Sequence, residues 1–506
     1  MASSDKGRYD CVVIGAGVAG LTAASARRGL RVALLERAEG TGGYAKAFKR
    51  GPYTFDPAIH LCPECGNGEL MDAALRHLGV RDRVTYRKVD SFYEVRFPGL
   101  TLRAPADPEG FYDAHARAFP AEASRLKEFL VVCSQMHDEA HQLPPRIGLE
   151  ELDAAAKRFP TVFRYQKATA YQVMDEYLTD PKLKAALIAI FWTGLGTRPS
   201  RFAFLTFAQY MNVNVQGTYF AVGGFQSLVD ALTHSFVDAG GDLRLRCPAT
   251  RILVEDGRAV GVEIEGGERL PAKNVIAAAD ARTVLERMVG PQHLPEAYLR
   301  RLQRMEPTLS AVTAFGVTKR DLRAMGATHD TYVYEDWDPE VSWSRILDGQ
   351  AAMAWMTVPT LVDPSLAPPG EHVVLYTCPA AYRVDEPWPE KRDRFARRMV
   401  ELSEQAFPGI SDDLNMFNVG TPLTLERYTG NQAGAMSGWA ATPNQSGSRR
   451  LSMRTPIEGL YLSGHWTQPG QGVLRAHVTG FWAAHLVLET VGGELYKLPT
   501  AIQRVW

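Results

Sequence analysis

Tyr9-Asp10-Cys11-Val12-Val13-Ile14-Gly15-Ala16-Gly17-Val18-Ala19-Gly20 is the stretch whose reading decides the fold. Cys11 to Ile14 is a short, apolar, β-branched run, the pattern of a strand buried on both faces. It passes without a linker into glycines spaced G-x-G-x-x-G. Leu21 to Arg28 is rich in Ala and Leu, as a helix requires, and Gly29 supplies its stop. Arg31-Val32-Ala33-Leu34-Leu35-Glu36 then reads as a second strand. Strand, glycine turn, helix and strand within about 30 residues form the context that turns this glycine spacing into a dinucleotide-binding expectation. Gly15 permits the tight turn, Gly17 lets backbone approach a pyrophosphate, and Gly20 allows helix to pack on strand, while the helix N-terminus offers N–H groups to the phosphates. Glu36 stands about 20 residues past the first glycine, where an acid meets a ribose hydroxyl. Arg37 beside it joins the candidate cofactor-binding residues.

Thr41-Gly42-Gly43 follows within a few residues. A nicotinamide dinucleotide needs no second close backbone approach there. An extended FAD does, because its flavin end must pass another stretch free of side chains. The far end of the chain agrees: Gly459 to Gly464 reads as a strand entering a glycine turn, and Val473 to Thr490 as a helix. Backbone N–H groups at Gly470, Gln471, Gly472 and Val473 would open that helix toward an electron-rich carbonyl, a dipole suited to the negative charge on the N1/O2 edge of a reduced flavin. Gly223-Gly224, Gly240-Gly241 and Gly266-Gly267 do not make a second fingerprint for NAD(P)H. Oxygen, a quinone or a partner protein is therefore the expected electron acceptor.

Together, Gly15-Ala16-Gly17-Val18-Ala19-Gly20, Glu36, Gly42-Gly43, Tyr53-Thr54-Phe55-Asp56, Gly223-Gly224 and Pro469-Gly470-Gln471-Gly472-Val473 resemble the carotenoid desaturase, carotenoid isomerase and retinol saturase family of flavoproteins. The resemblance covers the cofactor-binding half well and the substrate half poorly. It implies noncovalent FAD, a substrate domain over the isoalloxazine, and desaturation, saturation or isomerisation of C–C bonds in hydrophobic, often polyene, substrates. It also implies that the backbone of Ala249 meets the adenine, and it brings Gly464 and His465 beside the flavin. Carotenoid isomerases usually carry Gly-Asp where this chain has Gly464-His465, so a neutral or cationic imidazole replaces an acid. Two alternatives stand beside this reading: a flavin-dependent amine or C–H dehydrogenase or oxidase tailoring a secondary metabolite, and a non-redox prenyl-binding escort protein.

The fold class expected is α/β, a Rossmann-like FAD-binding domain (1–85, 221–305 and 452–506) interleaved with an α+β substrate-binding domain (86–220 and 306–451). The chain has 506 residues, enough for two to four domains at roughly 100–200 residues each. A hairpin is expected around Pro98-Gly99, helices over Asp107–Phe119, Ala121–Gln142, Phe225–Ala239 and Lys391–Phe407, and strands near Leu243–Arg246, Ile252–Glu255, Val260–Glu265, Asn274–Ala279, Ser310–Thr318, Thr331–Tyr334, Ala351–Val358 and Val373–Cys378. Phe159 to Phe220 is crowded with aromatic residues, which suggests a greasy second domain.

For the proton that accompanies flavin chemistry, the candidates are His60, Tyr219 and His465; Trp192 and Trp466 suit cavity walls. Cys62-Pro63-Glu64-Cys65 lacks a second pair for a zinc site and reads as structural. His137 and His141 lie four apart without a third ligand in register and read as a solvated helix face, so no metal is expected. The formal net charge is −1, which leaves no basic excess for nucleic acid. Six scattered cysteines and a polar start argue for a cytoplasmic chain. The absence of a run of about 18 apolar residues leaves only peripheral membrane contact. A hydrophobic small-molecule substrate is the expected partner.

Overall fold

The computed structural model describes residues 8–26, 29–144 and 147–492. Residues 27 and 28 of the expected first helix and the end of the segment 452–506 lie outside the described residues. Strand Tyr9–Ile14 is buried except at Asp10 and runs parallel to Val32–Leu35 on one side and to Arg269–Ala277 on the other. Strand Asp242–Arg244 extends the sheet beyond Val32–Leu35. Leu460–Leu462 pairs parallel to Val275–Ala277, and Arg258–Ile264 and Ala249–Glu255 continue antiparallel. Three distant parts of the chain thus share one sheet.

Strand periodicity divides its side chains between two cores. Cys11, Val13 and Leu34 pack with helices Val18–Ser25, Gln226–Asp238 and Val473–Val491; Val12, Ile14 and Leu35 pack with Ile252, Val262 and Leu285 on the opposite face. The parallel strands leave their carboxyl ends open at the Gly15 turn, the place where such sheets bind ligands.

A second sheet runs in the order Asn415–Gly420, Ser310–Thr318, His372–Ala380, Met353–Thr357, Asp330–Tyr334, Ser91–Phe97, Leu100–Pro105. All its pairings are antiparallel but one, Asp330–Tyr334 on Ser91–Phe97. The aromatic stretch becomes helices Pro160–Tyr165, Ala170–Tyr177, Pro181–Leu195 and Phe204–Val215, which share one core with this sheet. Beyond the lysines of its first turn, Pro181–Leu195 is apolar all round and correspondingly buried; Asp180 caps its start and Gly196, at φ 57°, its end.

Most elements stand where periodicity places them. The strand expected at Asn274–Ala279 starts earlier, at Arg269, because Arg269–Pro271 pairs with Gly261–Glu263. The charged helix starts at Trp388, whose ring is buried. Ala435, Trp439 and Leu451, from a segment that sequence assigns to the substrate unit, sit in a core of the first sheet. Two motifs of the family resemblance meet in space: Phe225 N–H donates to Asp56 Oδ1 at 3.1 Å, and a Cβ on Gly224 (φ +86°) would lie 2.5 Å from Asp56 Oδ2. Burial raises the Asp56 pKa to about 7.

The first and last helices cross at Gly480, where a Cβ would come 2.4 Å from the Ala19 carbonyl oxygen and 2.6 Å from Thr22 Cβ. Gly480→Ala is expected to force the helices apart and destabilise the protein by about 1–3 kcal/mol, read as a lower thermal denaturation midpoint. An unchanged midpoint would refute this crossing.

Candidate active site

One cavity spans the carboxyl ends of the parallel strands and the face of the second sheet. Its lining includes Gly15, Gly17, Glu36, Arg37, Gly42, Gly43, Ala249, Gly464, His465, Gln471, Gly472 and Val473. Gly15 adopts φ +93°, and a Cβ there would lie 2.6 Å from the Ala278 oxygen. Gly17 and Gly43 face each other: a Cβ on Gly17 would have only Gly43 Cα within reach, at 4.0 Å. Gly42 N–H donates to the Ala16 carbonyl at 2.8 Å and ties the two turns together. This lane of bare backbone beside a helix N-terminus suits a pyrophosphate. Glu36 accepts from Ala16 N–H and Ala38 N–H, both at 2.8 Å, which fixes its carboxylate at the strand end. Arg37 donates to the Arg427 carbonyl. The residues present fit an extended dinucleotide. Gly20 and Gly470 lie outside the lining: a Cβ on Gly20 would meet the Gly15 oxygen at 1.9 Å, so Gly20 serves helix packing, while Gly470 (φ +130°) turns the chain before the last helix.

Past the glycines the lining changes to Ile59, Leu61, Phe92, Ile190, Phe191, Leu195, Val213, Tyr332 and Trp355. Trp355 stacks on Tyr332 with ring centroids 5.0 Å apart and tilts against His60 at 4.4 Å. His60 is buried on the cavity wall, its Nδ1 2.8 Å from Thr357 Oγ1. Thr357 donates its hydroxyl proton to Asp330 Oδ1 at 2.5 Å, and Trp355 Nε1 donates to the same oxygen at 2.8 Å. An ionised carboxylate only accepts, so Thr357 must receive the hydrogen bond of His60 Nδ1–H. That choice of tautomer leaves Nε2 as a lone-pair nitrogen, and it has no protein partner. Burial, opposed by the Asp330 charge, lowers the His60 pKa to about 4. The imidazole is neutral at physiological pH.

His465 also lines the cavity, between the Tyr44 ring and Asn431, whose Nδ2 is 3.3 Å from His465 Nε2. Burial, with help from Arg450, lowers its pKa to about 3, so this imidazole is neutral rather than cationic. Tyr219 departs from expectation and does not line the cavity. It lies on strand Thr218–Ala221, opposite Cys62 and Lys88, and strand alternation turns it away from buried Phe220 toward Gly66 and Glu69. Trp192 is fully buried against Tyr334 and Trp343 rather than walling the cavity, whereas Trp466 lines it.

Cys62 and Cys65 are buried free thiols, and burial pushes Cys65 far from thiolate character. His137 and His141 do not form a solvated face. Their rings are half-buried with centroids 4.1 Å apart, and burial lowers the pKa of both. Sequence reasoning passed over Asp330, Thr357 and Arg475. Asp330 and Thr357 stand directly opposite each other on paired strands, a register that no local pattern contains. Arg475 sits in the first turn of the last helix, two residues past the Gly470–Val473 segment chosen for its backbone.

The chain matches the family model described as flavin containing amine oxidoreductase over residues 18–488. Prolycopene isomerase 2, chloroplastic, of an Oncidium hybrid cultivar is 26% identical over 513 residues, covering 96% of this chain and 85% of the relative. Phytoene desaturase (neurosporene-forming) of Rhodobacter capsulatus is 23% identical over 512 residues, covering 96% and 95%. Among solved structures, cyclohexylamine oxidase from Brevibacterium oxydans IH-35A shares the fold, with a TM-score of 0.65 at 17% identity over 96% of this chain and 100% of that one. With a cradle that excludes side chains where a dinucleotide must lie and a match running almost end to end, this chain belongs to the flavin-containing amine oxidoreductase family and is an FAD-dependent oxidoreductase.

Proposed function

We propose that this enzyme desaturates, saturates or isomerises C–C bonds of a hydrophobic polyene or isoprenoid substrate. The observation that carries the reading is the chamber beyond the glycine cradle, walled by aliphatic and aromatic side chains. A conjugated chain gains from such walls through burial and ring contact. Relatives named prolycopene isomerase and phytoene desaturase support the same substrate class. A cationic amine suits the chamber less well. Its carboxylate, Asp330, is already bonded to Thr357 and Trp355, and Arg475 on its wall would repel a second cation.

FAD, when bound, supplies the two-electron redox centre, and the protein supplies placement and proton management. In this proposal Gly15, Gly17, Gly42 and Gly43 clear the path of the pyrophosphate, Glu36 and Arg37 hold the adenosine side with the backbone of Ala249, and Gly464, Gln471, Gly472 and Val473 border the flavin. Tyr332, Trp355, Phe92 and Phe191 orient the substrate and exclude water. His60 Nε2 takes or returns the proton, while Thr357 and Asp330 keep its tautomer. His465, neutral and bonded to Asn431, shapes the flavin wall. Oxygen, a quinone or a partner protein completes the redox cycle. Among the described residues no helix is long and apolar enough to cross a membrane. A cytoplasmic site of action with peripheral membrane contact fits a lipophilic substrate.

Anaerobic photoreduction of the holoenzyme, followed by reoxidation with candidate polyenes and with amines, tests the substrate class: polyenes are expected to reoxidise or perturb the flavin, and a response to amines alone would reject the proposal. His60→Ala is expected to lower kcat by about 10²–10⁴-fold, the range for loss of an acid–base group. A neutral His60 predicts kcat/KM that is flat above pH 5 and falls as pH drops through about 4. Asp330→Asn removes the charge that sustains the proton affinity of His60, so the acid limb moves to lower pH. A lower rate with an unmoved limb would assign Asp330 a purely structural role.

A further inference from the structure

Arg475 is a half-buried guanidinium on the wall of an apolar chamber. Gln209 Oε1 lies 3.3 Å from its Nη2, and its guanidinium carbon stands 4.2 Å over the Tyr210 ring. Both partners belong to helix Phe204–Val215, and Arg475 Nη1 would stand 3.7 Å from a Cβ on Gly470, so the guanidinium lies between that helix and the turn before the last helix. Among the described residues no carboxylate comes within ion-pair distance of it. His137 and His141, which feel its charge, are neutral, and buried Arg450 nearby adds a second cation. Glu64 is within its electrostatic reach but makes no ion pair with it; burial and Glu69 raise the Glu64 pKa to about 7 against the opposing pull of Arg475. Arg475 also occupies the first turn of helix Val473–Val491, where the helix dipole disfavours a cation and favours an anion.

A partly desolvated cation with no carboxylate at ion-pair distance, set against a helix dipole, is unfavourable by itself. It becomes favourable when a planar anion arrives, because the guanidinium fork matches a carboxylate in bidentate fashion. We infer that the substrate carries a terminal carboxylate, bound by Arg475 with its hydrocarbon chain laid along Phe191, Tyr332 and Trp355. The inference rests on the polyene reading above and narrows it to an amphipathic polyene acid.

The test titrates FAD-loaded enzyme with all-trans-retinoic acid and with its methyl ester, following the flavin absorbance band. Wild-type enzyme is expected to bind the acid about 10- to 100-fold more tightly than the ester, the span of a charge-assisted hydrogen-bond pair. Arg475→Gln is expected to abolish that preference while the ester still binds, and Arg475→Lys, which keeps the charge but not the fork, to fall between. Equal affinity for acid and ester in the wild type, or an undiminished preference in Arg475→Gln, would overturn the carboxylate inference and leave the polyene reading standing. Failure of both probes to bind would overturn the two together.

Discussion

The close approach of two bare backbones is the constraint on which the rest depends. Gly17 and Gly43 lie so near that a Cβ on Gly43 would stand 3.2 Å from Gly17 Cα, and Gly15 and Gly20 press on Ala278 and on each other with no room for a side chain. This spacing sets where the first helix begins, and Gly480 lets the last helix cross it at close range. Strands drawn from both ends and the middle of the chain are then pinned into one sheet whose carboxyl ends face the cavity. The substrate sheet inherits its position, because the cavity wall continues from these glycines onto Trp355, Tyr332 and His60.

Electrostatics then divide the cavity by role. Where the second strand ends, the carboxylate of Glu36 and the guanidinium of Arg37 are held by backbone groups. On the cavity wall two imidazoles are kept neutral by burial, and each has a polar neighbour. A neutral histidine can accept a proton, and an Nδ1–H tautomer pinned by Thr357 and Asp330 leaves one nitrogen for that purpose. Among the described residues that wall the apolar chamber, Arg475 carries a full charge with no carboxylate at ion-pair distance.

Much of this was legible in the chain. A buried β-branched run followed by spaced glycines and an acid at the next strand end encodes a local unit, and local units obey periodicity and chain chirality wherever they occur. The same is true of Gly42-Gly43 and of the turn before Val473. Tyr219 was less legible. Proximity in sequence to Gly223-Gly224 suggested a site residue, but alternation on a short strand turned the ring outward. His137 and His141 show the converse, since i,i+4 spacing identifies a shared face without saying what covers it. Trp192 likewise announced an apolar environment and could not distinguish core from cavity wall.

By itself, then, the sequence determined the cofactor cradle, the α/β class and the apolar character of the second unit, because each follows from steric and hydrophobic patterns within a few tens of residues. Tertiary structure alone decided which histidine is linked through Thr357 to a carboxylate, that Asp56 meets Gly224, and that Arg475 stacks on Tyr210 at the chamber wall. Those facts depend on strand register, as between Asp330 and Thr357, and on contacts between residues more than a hundred positions apart, as between His60 and Thr357. Burial then sets protonation, and no local pattern carries the dielectric surroundings of a side chain.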